Sequence, residues 1–410
     1  MADDIDFLII GGGAAGIGAA RRLAALGASP LDVEALDRIG GRAHTIEARG
    51  QRLDLGCEWL HSGDRNVWTG IAEDLGFRVD RRDPVWGEQF RDLGFPAADQ
   101  AAAGRAFDAW AERLIRSPPA SDRSSDALEP NGEWNGFIAA MTGFISGAAP
   151  ERLSAEDYVA YERAATEANW RLPAGYGTLV AASLPASVAV RTDTRVEAID
   201  LAARGVVVVT SRGTLRARAV IVAVPTSVLA DGAIRLPPEV DPWRVAAAAL
   251  PLGRDEKVFL EIIGDAPFED ETYVLGNPRT ARTGGHYIRP LGAPVIECFL
   301  GGGAADVLDD GPDAGFAFAV DEIVALFGSD ARRSLRPLAV SNWSQIATIG
   351  GAYSYALPGH AGARALLAKP FDDCLFFAGE ATHPFDFTTA HGAHDSGVRA
   401  ADEAFASASR

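Results

Sequence analysis

The chain has 410 residues, of which 48% are hydrophobic and 23% charged, a composition that predicts a globular protein of two or three domains. Its formal net charge of −18 argues against a nucleic-acid partner, which requires clustered Lys and Arg. Three scattered cysteines predict neither a disulfide framework nor a metal site, and an acidic N-terminus with no apolar run near roughly 20 residues predicts a cytoplasmic protein without a membrane span.

The N-terminal stretch predicts a strand, a tight turn and a helix that bind a nucleotide. An apolar run over residues 5–10 ends in glycines, and residues 14–26 carry apolar side chains at helical spacing. Gly11, Gly13 and Gly16 therefore form G-x-G-x-x-G in the setting where backbone N–H groups can approach a pyrophosphate. By itself this stretch is compatible with both NAD and FAD.

A second strand is predicted over residues 31–36, and it carries an acid near its end. Glu34 stands where a carboxylate accepts hydrogen bonds from ribose hydroxyls. The following Gly41-Arg42 places a guanidinium where it can reach back to the pyrophosphate as a bidentate partner.

The middle of the chain changes between helical and strand patterns. Residues 71–182 predict mainly helices, the clearest at 100–116 and at 154–170, with Ser154 as a candidate N-cap. Strands are then predicted at 188–191, 195–199, 206–210 and 219–224. A second excursion, 252–343, mixes strands at 257–263 and 295–300 with a helix at 314–327.

Lys257 draws notice because the chain has only two lysines, the other being Lys369, against 36 arginines. An isolated strand lysine often only extends its ammonium to solvent. Its position inside an apolar strand nevertheless makes Lys257 a candidate functional residue.

Near the C-terminus, an apolar strand ends in Gly379-Glu380, and a glycine turn at Gly392 precedes an alanine-rich helix. The N-terminus of such a helix directs its dipole at an electron-rich group. That arrangement suits a redox ring that becomes anionic.

Several motifs together resemble the flavin-containing amine oxidases of the monoamine and polyamine oxidase superfamily, on the polyamine-oxidase-like side. They are GGGAAGIGAARRLA with VEALDRIGGRAHT, LDLGCEWLH, TRVEAIDLAARGVVVVTSRGTLRARAVIVAVP, EKVFLEI, IGGAYSYALPG and FFAGEATHPFDFTTAHGAHDSGVRAA. The resemblance implies an α/β fold: a Rossmann-like FAD-binding domain of the glutathione-reductase-like type with an inserted α+β substrate domain. The implied FAD-binding segments are 1–70, 183–250 and 344–410, and the implied substrate-binding segments are 71–182 and 251–343.

The resemblance also implies non-covalent FAD, because Ala352 stands where monoamine oxidases carry a flavin-linked cysteine. Glu34 would bind the adenosine ribose, Arg42 the phosphates, and the backbone of Val196 the adenine. The positions implied to bind FAD are Gly11, Gly13, Ala14, Ala15, Gly16, Glu34, Ala35, Gly41, Arg42, Gly56, Cys57, Glu58, Trp59, Val196, Gly379, Glu380, Thr389, Ala390, Gly392 and Ala393.

For catalysis, the resemblance assigns Lys257 to hold a water near flavin N5 and Tyr353 to form one wall of an aromatic cage. Thr389 replaces an aromatic residue on the opposite wall, and Trp343 flanks the cavity. His61 matches a histidine of some polyamine oxidases.

Glu58 is unusual in its motif, and it is a candidate partner either for a substrate ammonium or for an arginine of the fold.

The implied reaction is oxidation of an amine C–N bond: hydride passes from the α-carbon to flavin N5, the imine is hydrolysed, and oxygen or another acceptor reoxidises the flavin, oxygen giving hydrogen peroxide. The alternatives are an amino-acid oxidase or a desaturase of the same superfamily, and a flavin-binding partner protein without catalysis.

Overall fold

The computed structural model describes residues 5–86, 92–264, 266 and 268–408. Within these ranges the strands are β1 (Ile5–Ile10), β2 (Leu31–Val33), β3 (Thr45–Ala48), β4 (Gln51–Asp54), β5 (Trp59–Leu60), β6 (Trp170–Arg171), β7 (Ala189–Arg191), β8 (Val196–Leu201), β9 (Val206–Thr210), β10 (Gly213–Val222), β11 (Asp255–Ile262), β12 (Thr272–Leu275), β13 (Gly284–Ile288), β14 (Val295–Gly301), β15 (Leu335–Val340) and β16 (Leu375–Phe377). The α-helices are α1 (Ala14–Ala25), α2 (Val67–Asp74), α3 (Ala97–Arg116), α4 (Asn135–Ser146), α5 (Ala155–Ala164), α6 (Tyr176–Ala182), α7 (Thr226–Ala230), α8 (Asp241–Ala248), α9 (Pro312–Phe327), α10 (Ala363–Leu367) and α11 (Ala390–Ala408).

The first of two large sheets has seven strands. Their order is β7-β2-β1-β10-β9-β8, and β16 also pairs with β10. The strands around β1 are parallel. The last four residues of β1 and β10 and all of β2 and β16 are buried, as expected for strands covered on both faces, whereas the edge strand β7 is largely exposed. All seven strands lie within the segments predicted for the FAD-binding domain, although the domain boundaries themselves stay a prediction.

The first and last helices, α1 and α11, pack directly against each other over this sheet. Glycines allow the close approach: a Cβ at Gly18 would lie 2.5 Å from the His394 carbonyl oxygen, and one at Gly397 would lie 2.0 Å from that of Ala15. The two ends of the chain are thereby joined into one layer.

The second large sheet has five strands, in the order β12-β13-β14-β11-β15. Side chains alternate between its two faces, as strand geometry requires. One face, with Val258, Leu260 and Ile296, packs on α9 in an apolar core. The other face carries Asp255, Lys257 and Glu297, which line a cavity between the two sheets.

Three predicted boundaries are wrong, each for a local reason. The second strand ends at Val33 rather than Leu36, because the Glu34 carboxylate accepts a hydrogen bond from the Leu36 N–H and turns the chain. The helix predicted to reach Trp170 ends at Ala164, since Trp170 pairs with β5 instead. The last helix begins at Ala390, two residues before Gly392.

A fourth boundary also differs, because the strand predicted at 219–224 begins six residues earlier, at Gly213. The remaining predicted elements are confirmed to within a few residues. The Ser154 hydroxyl accepts a hydrogen bond from the Asp157 N–H at the start of α5, as expected of an N-cap. Among the described residues, no helix is both long enough and apolar enough to cross a bilayer.

Candidate active site

One cavity of about 860 Å³ extends from the glycine turn after β1 to the charged face of the second sheet. Its lining includes Gly11, Glu34 and Val196 at one end and Lys257 and Tyr353 at the other. The glycine turn after β1 and the charged face of the second sheet therefore line a single space. We call the end beside Lys257 and Tyr353 the reaction chamber.

The N-terminus of α1 opens into this cavity. Its N-cap residue, Gly13, provides no side-chain hydrogen bond, and the first turn contains no acid. The backbone N–H groups of the first turn lack partners within the helix, and Ala14 and Ala15 line the cavity. An uncapped helix start of this kind fits a pyrophosphate, so the site fits the nucleotide half of a dinucleotide cofactor.

Glu34 lies beside this helix start, with its carboxylate fixed in place. It accepts hydrogen bonds from the N–H groups of Gly12 at 2.7 Å and Leu36 at 2.8 Å. Burial raises the pKa of Glu34, and the backbone donors counteract part of that rise. The carboxylate is thus positioned by the backbone rather than by a cation.

Asp32, two residues earlier on the same strand face, is fully buried, and its carboxyl oxygens have no hydrogen-bond partner among the described residues. Burial, followed by the charge of Glu34, raises the pKa of Asp32 to about 8. Asp32 is consequently a neutral acid at neutral pH.

Glu380 connects the far end of the chain to the cavity centre. It accepts hydrogen bonds from the N–H and the hydroxyl of Ser354, and it lies 3.6 Å from the Arg42 guanidinium. The Arg42 guanidinium also donates to the Ala352 carbonyl. Arg364 holds the other side of Ser354 while pairing with buried Asp157. Glu380 therefore acts as a structural acceptor here.

Thr389 lies where α11 begins. Its hydroxyl donates to the Asp386 carbonyl at 2.6 Å and accepts from the Gly392 N–H at 3.0 Å. It therefore caps the helix whose first residue, Ala390, lines the cavity. Thr389, which stands at a position that is aromatic in monoamine oxidases, therefore has a structural role at the start of α11.

Lys257 is clamped between two carboxyl groups. Its ammonium lies 2.8 Å from Glu58 Oε2 and 2.7 Å from Glu297 Oε1. The Lys257 side chain is only 7% exposed. This lysine does not extend to solvent.

The protonation of this cluster follows from its burial. Burial alone would lower the pKa of Lys257, but the Glu297 and Glu58 carboxyl groups outweigh it and raise that pKa. Burial would raise the pKa of Glu58, yet Lys257 lowers it. Burial and the Glu58 charge raise the pKa of Glu297 well above its usual range. Lys257 is therefore a buried cation between two acids, of which Glu297 is the one whose pKa is raised.

Aromatic rings form the wall beside Glu58. Trp59 meets Trp86 edge to face at 4.6 Å and Tyr287 at 6.0 Å between ring centroids. Arg171, itself buried, stacks over Trp59 at 5.0 Å and is anchored by Glu271 at 3.0 Å. The Arg171 guanidinium thus covers ring faces of both Trp59 and Tyr287.

Tyr353 and Trp343 define the opposite side. The Tyr353 hydroxyl donates to the Phe144 carbonyl, and the Trp343 indole N–H donates to the Leu55 carbonyl at 3.0 Å. Both rings are therefore fixed in orientation before any ligand binds.

His61 lines the cavity near Trp86, and its Nδ1 lies 2.7 Å from Asn169 Oδ1. Burial lowers the pKa of His61, so its imidazole is neutral at neutral pH.

The profile of the family described as flavin containing amine oxidoreductase matches residues 14–404. The chain belongs to this family. Polyamine oxidase 2 of Arabidopsis thaliana is 28% identical, with 97% of this chain and 87% of that protein covered. Polyamine oxidase 4 of Oryza sativa subsp. japonica is 26% identical, with coverage of 97% and 88%.

The structure of a putrescine oxidase bound to putrescine shares this fold, with a TM-score of 0.77, 18% identity and coverage of 98% of this chain and 99% of that one. The predicted α/β, Rossmann-like fold and the predicted family are confirmed. This family member is an FAD-dependent oxidoreductase that acts on amines.

Most residues predicted for the site line the cavity; the exceptions are Gly16 and Gly392. A Cβ at Gly16 would lie 1.9 Å from the Gly11 carbonyl oxygen, and one at Gly392 would lie 1.9 Å from that of Asp386. Both glycines permit close backbone packing behind the cavity. Glu58 pairs with Lys257 at 2.8 Å, and its predicted role towards a substrate ammonium or an arginine is not tested by this contact. The individual roles of the predicted residues stay predictions.

Sequence reasoning missed two acids on the cavity-facing side of the second sheet, Glu297 and Asp255. Glu297 is a single acid in the apolar run VIECFL, the same signal that identified Lys257 in its strand. Asp255 stands two residues before Lys257, on the same face of β11. A search for lone charges in apolar strand patterns would have found Glu297 but not Asp255, which lies in the charged run Arg254-Asp255-Glu256-Lys257.

Proposed function

We propose that this enzyme oxidises an aliphatic diamine or polyamine and that molecular oxygen accepts the electrons. The observation that carries the proposal is the single cavity that joins the uncapped start of α1 to the Lys257 cluster. When bound there, FAD supplies the two-electron acceptor for the α-carbon–hydrogen bond of the amine, and oxygen, water and amine give hydrogen peroxide, a carbonyl compound and the released amine.

The chain's own residues bind and orient the reactants. Gly11, Ala14 and Glu34 hold the nucleotide half, and the dipole of α11 supports negative charge at the other end of the cofactor. Tyr353 and Trp343 confine the substrate between fixed rings. Lys257, held cationic by Glu58, can position a water through a hydrogen bond.

Two features support the substrate class. Acidic side chains, among them Asp255 and Glu297, line the cavity, and the net charge of −18 attracts cations from a distance. The relatives named polyamine oxidase and putrescine oxidase agree with this choice.

An amino-acid oxidase would need an arginine for the substrate carboxylate. The two arginines that line the cavity are Arg42, which lies against Glu380, and Arg195, which pairs with Glu197 next to the predicted adenine position. Within the described part of the chain, the reaction chamber thus offers no uncommitted arginine for that role.

The decisive experiment uses purified holoenzyme. Putrescine, spermidine, monoamines and amino acids are added under anaerobic conditions while the visible absorption of the flavin is recorded. We expect polyamines or diamines to bleach the flavin, and air to restore the colour with one peroxide per amine oxidised. Bleaching by amino acids alone would contradict the substrate class, and recolouring without peroxide would contradict oxygen as the acceptor.

A further inference from the structure

Asp255, the first residue of β11, is a buried acid on the wall of the reaction chamber. It lines the cavity, its exposure is 5%, and neither carboxyl oxygen has a hydrogen-bond partner among the residues described. An acid left in this way in a binding cavity is costly unless a ligand completes it.

The cations nearest to Asp255 in the sequence are committed elsewhere. Arg254 pairs with Asp306 at 2.8 Å and Asp309 at 2.7 Å. Lys257 is held by Glu58 and Glu297, as described above. Neither cation neutralises Asp255.

The other groups around Asp255 do not neutralise it either. Burial raises the pKa of Asp255 well above its usual range, the Tyr353 hydroxyl counteracts part of that rise, and Glu256 adds to it. No cation contributes to this balance. The Tyr353 hydroxyl donates its own hydrogen bond to the Phe144 carbonyl.

The surroundings suit an alkylammonium group. Met141, Phe144 and Ile145 of α4 and the ring of Tyr353 line the same cavity and give it an apolar wall. The backbone of Gly147 also approaches it, since a Cβ there would lie 2.5 Å from Asp255 Oδ2. The carboxyl group is therefore held against one wall of a cavity that also offers apolar surface to methylene groups.

We propose that Asp255 is the subsite for the second, non-reacting ammonium group of a diamine or polyamine substrate. The inference rests on the proposed function, because one nitrogen must react at the cofactor while the other is held. The Cα atoms of Asp255 and Lys257 lie about 7 Å apart along one strand face, so both side chains belong to the same wall of the cavity. Asp255 would then have one of the two roles considered for Glu58 in the sequence.

The substrate ammonium supplies the positive charge that neither Arg254 nor Lys257 gives to Asp255. Because burial raises the pKa of Asp255, pairing requires that the acid lose its proton to solvent, after which the ammonium donates hydrogen bonds to the carboxylate. A monoamine of the same length leaves the acid unpaired and should gain nothing from it.

The experiment compares wild type with Asp255→Asn on putrescine and on butylamine, which has the same carbon chain and one nitrogen. We expect kcat/KM for putrescine to fall by about tenfold or more in the variant, mainly through KM, and that for butylamine to change by less than about threefold. Glu256→Gln is the matched control, because Glu256 is buried against Ser341 and lies outside the cavity lining. It should preserve the putrescine-to-butylamine ratio.

Equal losses on both amines, or no loss on putrescine, would overturn the inference. Flavin content and melting temperature establish that each variant is folded. Calorimetric titration of putrescine into anaerobic holoenzyme tests the subsite without turnover, and Asp255→Asn should weaken binding by a similar factor. If the wild type oxidises no amine, the proposed function fails, whereas the titration still decides whether Asp255 binds the second ammonium.

Discussion

The two ends of the cavity are built on different principles. At the nucleotide end, backbone groups do most of the binding: an uncapped helix start, glycine turns, and one acid oriented by N–H donors. At the amine end, side chains do so: a lysine between two acids, stacked rings and an unpaired aspartate.

The difference affects how each end tolerates substitution. A backbone site is insensitive to most side-chain replacements but fails where a Cβ obstructs the main chain. A side-chain cluster folds with altered members but loses its chemistry. Substitutions should therefore separate cofactor binding from turnover.

The largest effect is expected from Gly16→Ala. The added methyl would lie 1.9 Å from the Gly11 carbonyl oxygen, so the strand and α1 cannot keep their spacing. We expect protein without bound flavin, measured as the ratio of flavin to protein absorption. Gly70→Ala is the control, since a Cβ at that exposed helical position meets nothing within 4 Å. If Gly16→Ala protein retained bound flavin, the nucleotide end would not depend on close backbone packing as we expect.

At the amine end, Lys257→Met should leave flavin bound and slow its reduction or reoxidation by about tenfold or more, because the cation that positions water is lost. Stopped-flow absorbance under anaerobic and aerobic conditions separates the two half-reactions.

Lys369→Met is the natural control for this variant, because Lys369 is the other lysine of the chain and is exposed. Unchanged rates in Lys257→Met, normalised to bound flavin, would remove Lys257 from the mechanism. Loss of flavin would instead show that the two ends are not separable.

A smaller effect concerns pH and Asp32, the one buried acid near the nucleotide end without a partner in the described structure. The pKa of Asp32 rises from 3.8 to about 8 on folding, so the folded chain binds more protons between these values. The contribution of Asp32 to stability is thus greatest at low pH and falls as pH rises towards about 8, by at most about 1.4 kcal/mol per pH unit.

Asp32→Asn removes that titration. Between about pH 5 and about pH 8, the variant should lose less of its unfolding free energy than wild type in denaturant titrations followed by circular dichroism. Asp37→Asn, at an exposed position nearby, should follow the wild-type curve. Parallel curves for Asp32→Asn and wild type would show that Asp32 is ionised in the folded protein.

The smallest effect is expected from salt. The net charge of −18 should speed encounter with cationic amines, and raising ionic strength from about 0.02 to about 0.3 M should lower kcat/KM severalfold. The decrease should be larger for putrescine than for butylamine, with kcat unchanged. Salt-independent kcat/KM for both amines would confine the electrostatic contribution to the amine end itself.

The same contrast explains what could be predicted from the sequence. The strand, turn and helix around Gly11 are contiguous, so local periodicity and one motif were sufficient to predict them. Lys257 was recognised by its rarity and by its motif. Its partners Glu58 and Glu297 come from segments far apart in the chain, and only the pairing of β11 with β14 brings Glu297 to the cavity face.

Pairings between distant segments also account for the errors. Trp170 joins β5 across more than a hundred residues, a contact that no helical pattern announces. The unpaired state of Asp255 depends on where Arg254 and Lys257 find their partners, which is a property of the folded arrangement.

The packing of α1 against α11 bears on how the protein is made. The glycine turn leaves the ribosome first, but β16 and α11 follow only after some 365 further residues, which takes on the order of 20 to 70 s. During that interval the nascent chain contains only the N-terminal part of the FAD site, and the apolar face of α1 is exposed. Cofactor loading must therefore be a late event in biosynthesis, and fragments that end before β16 should emerge colourless and depend on chaperones.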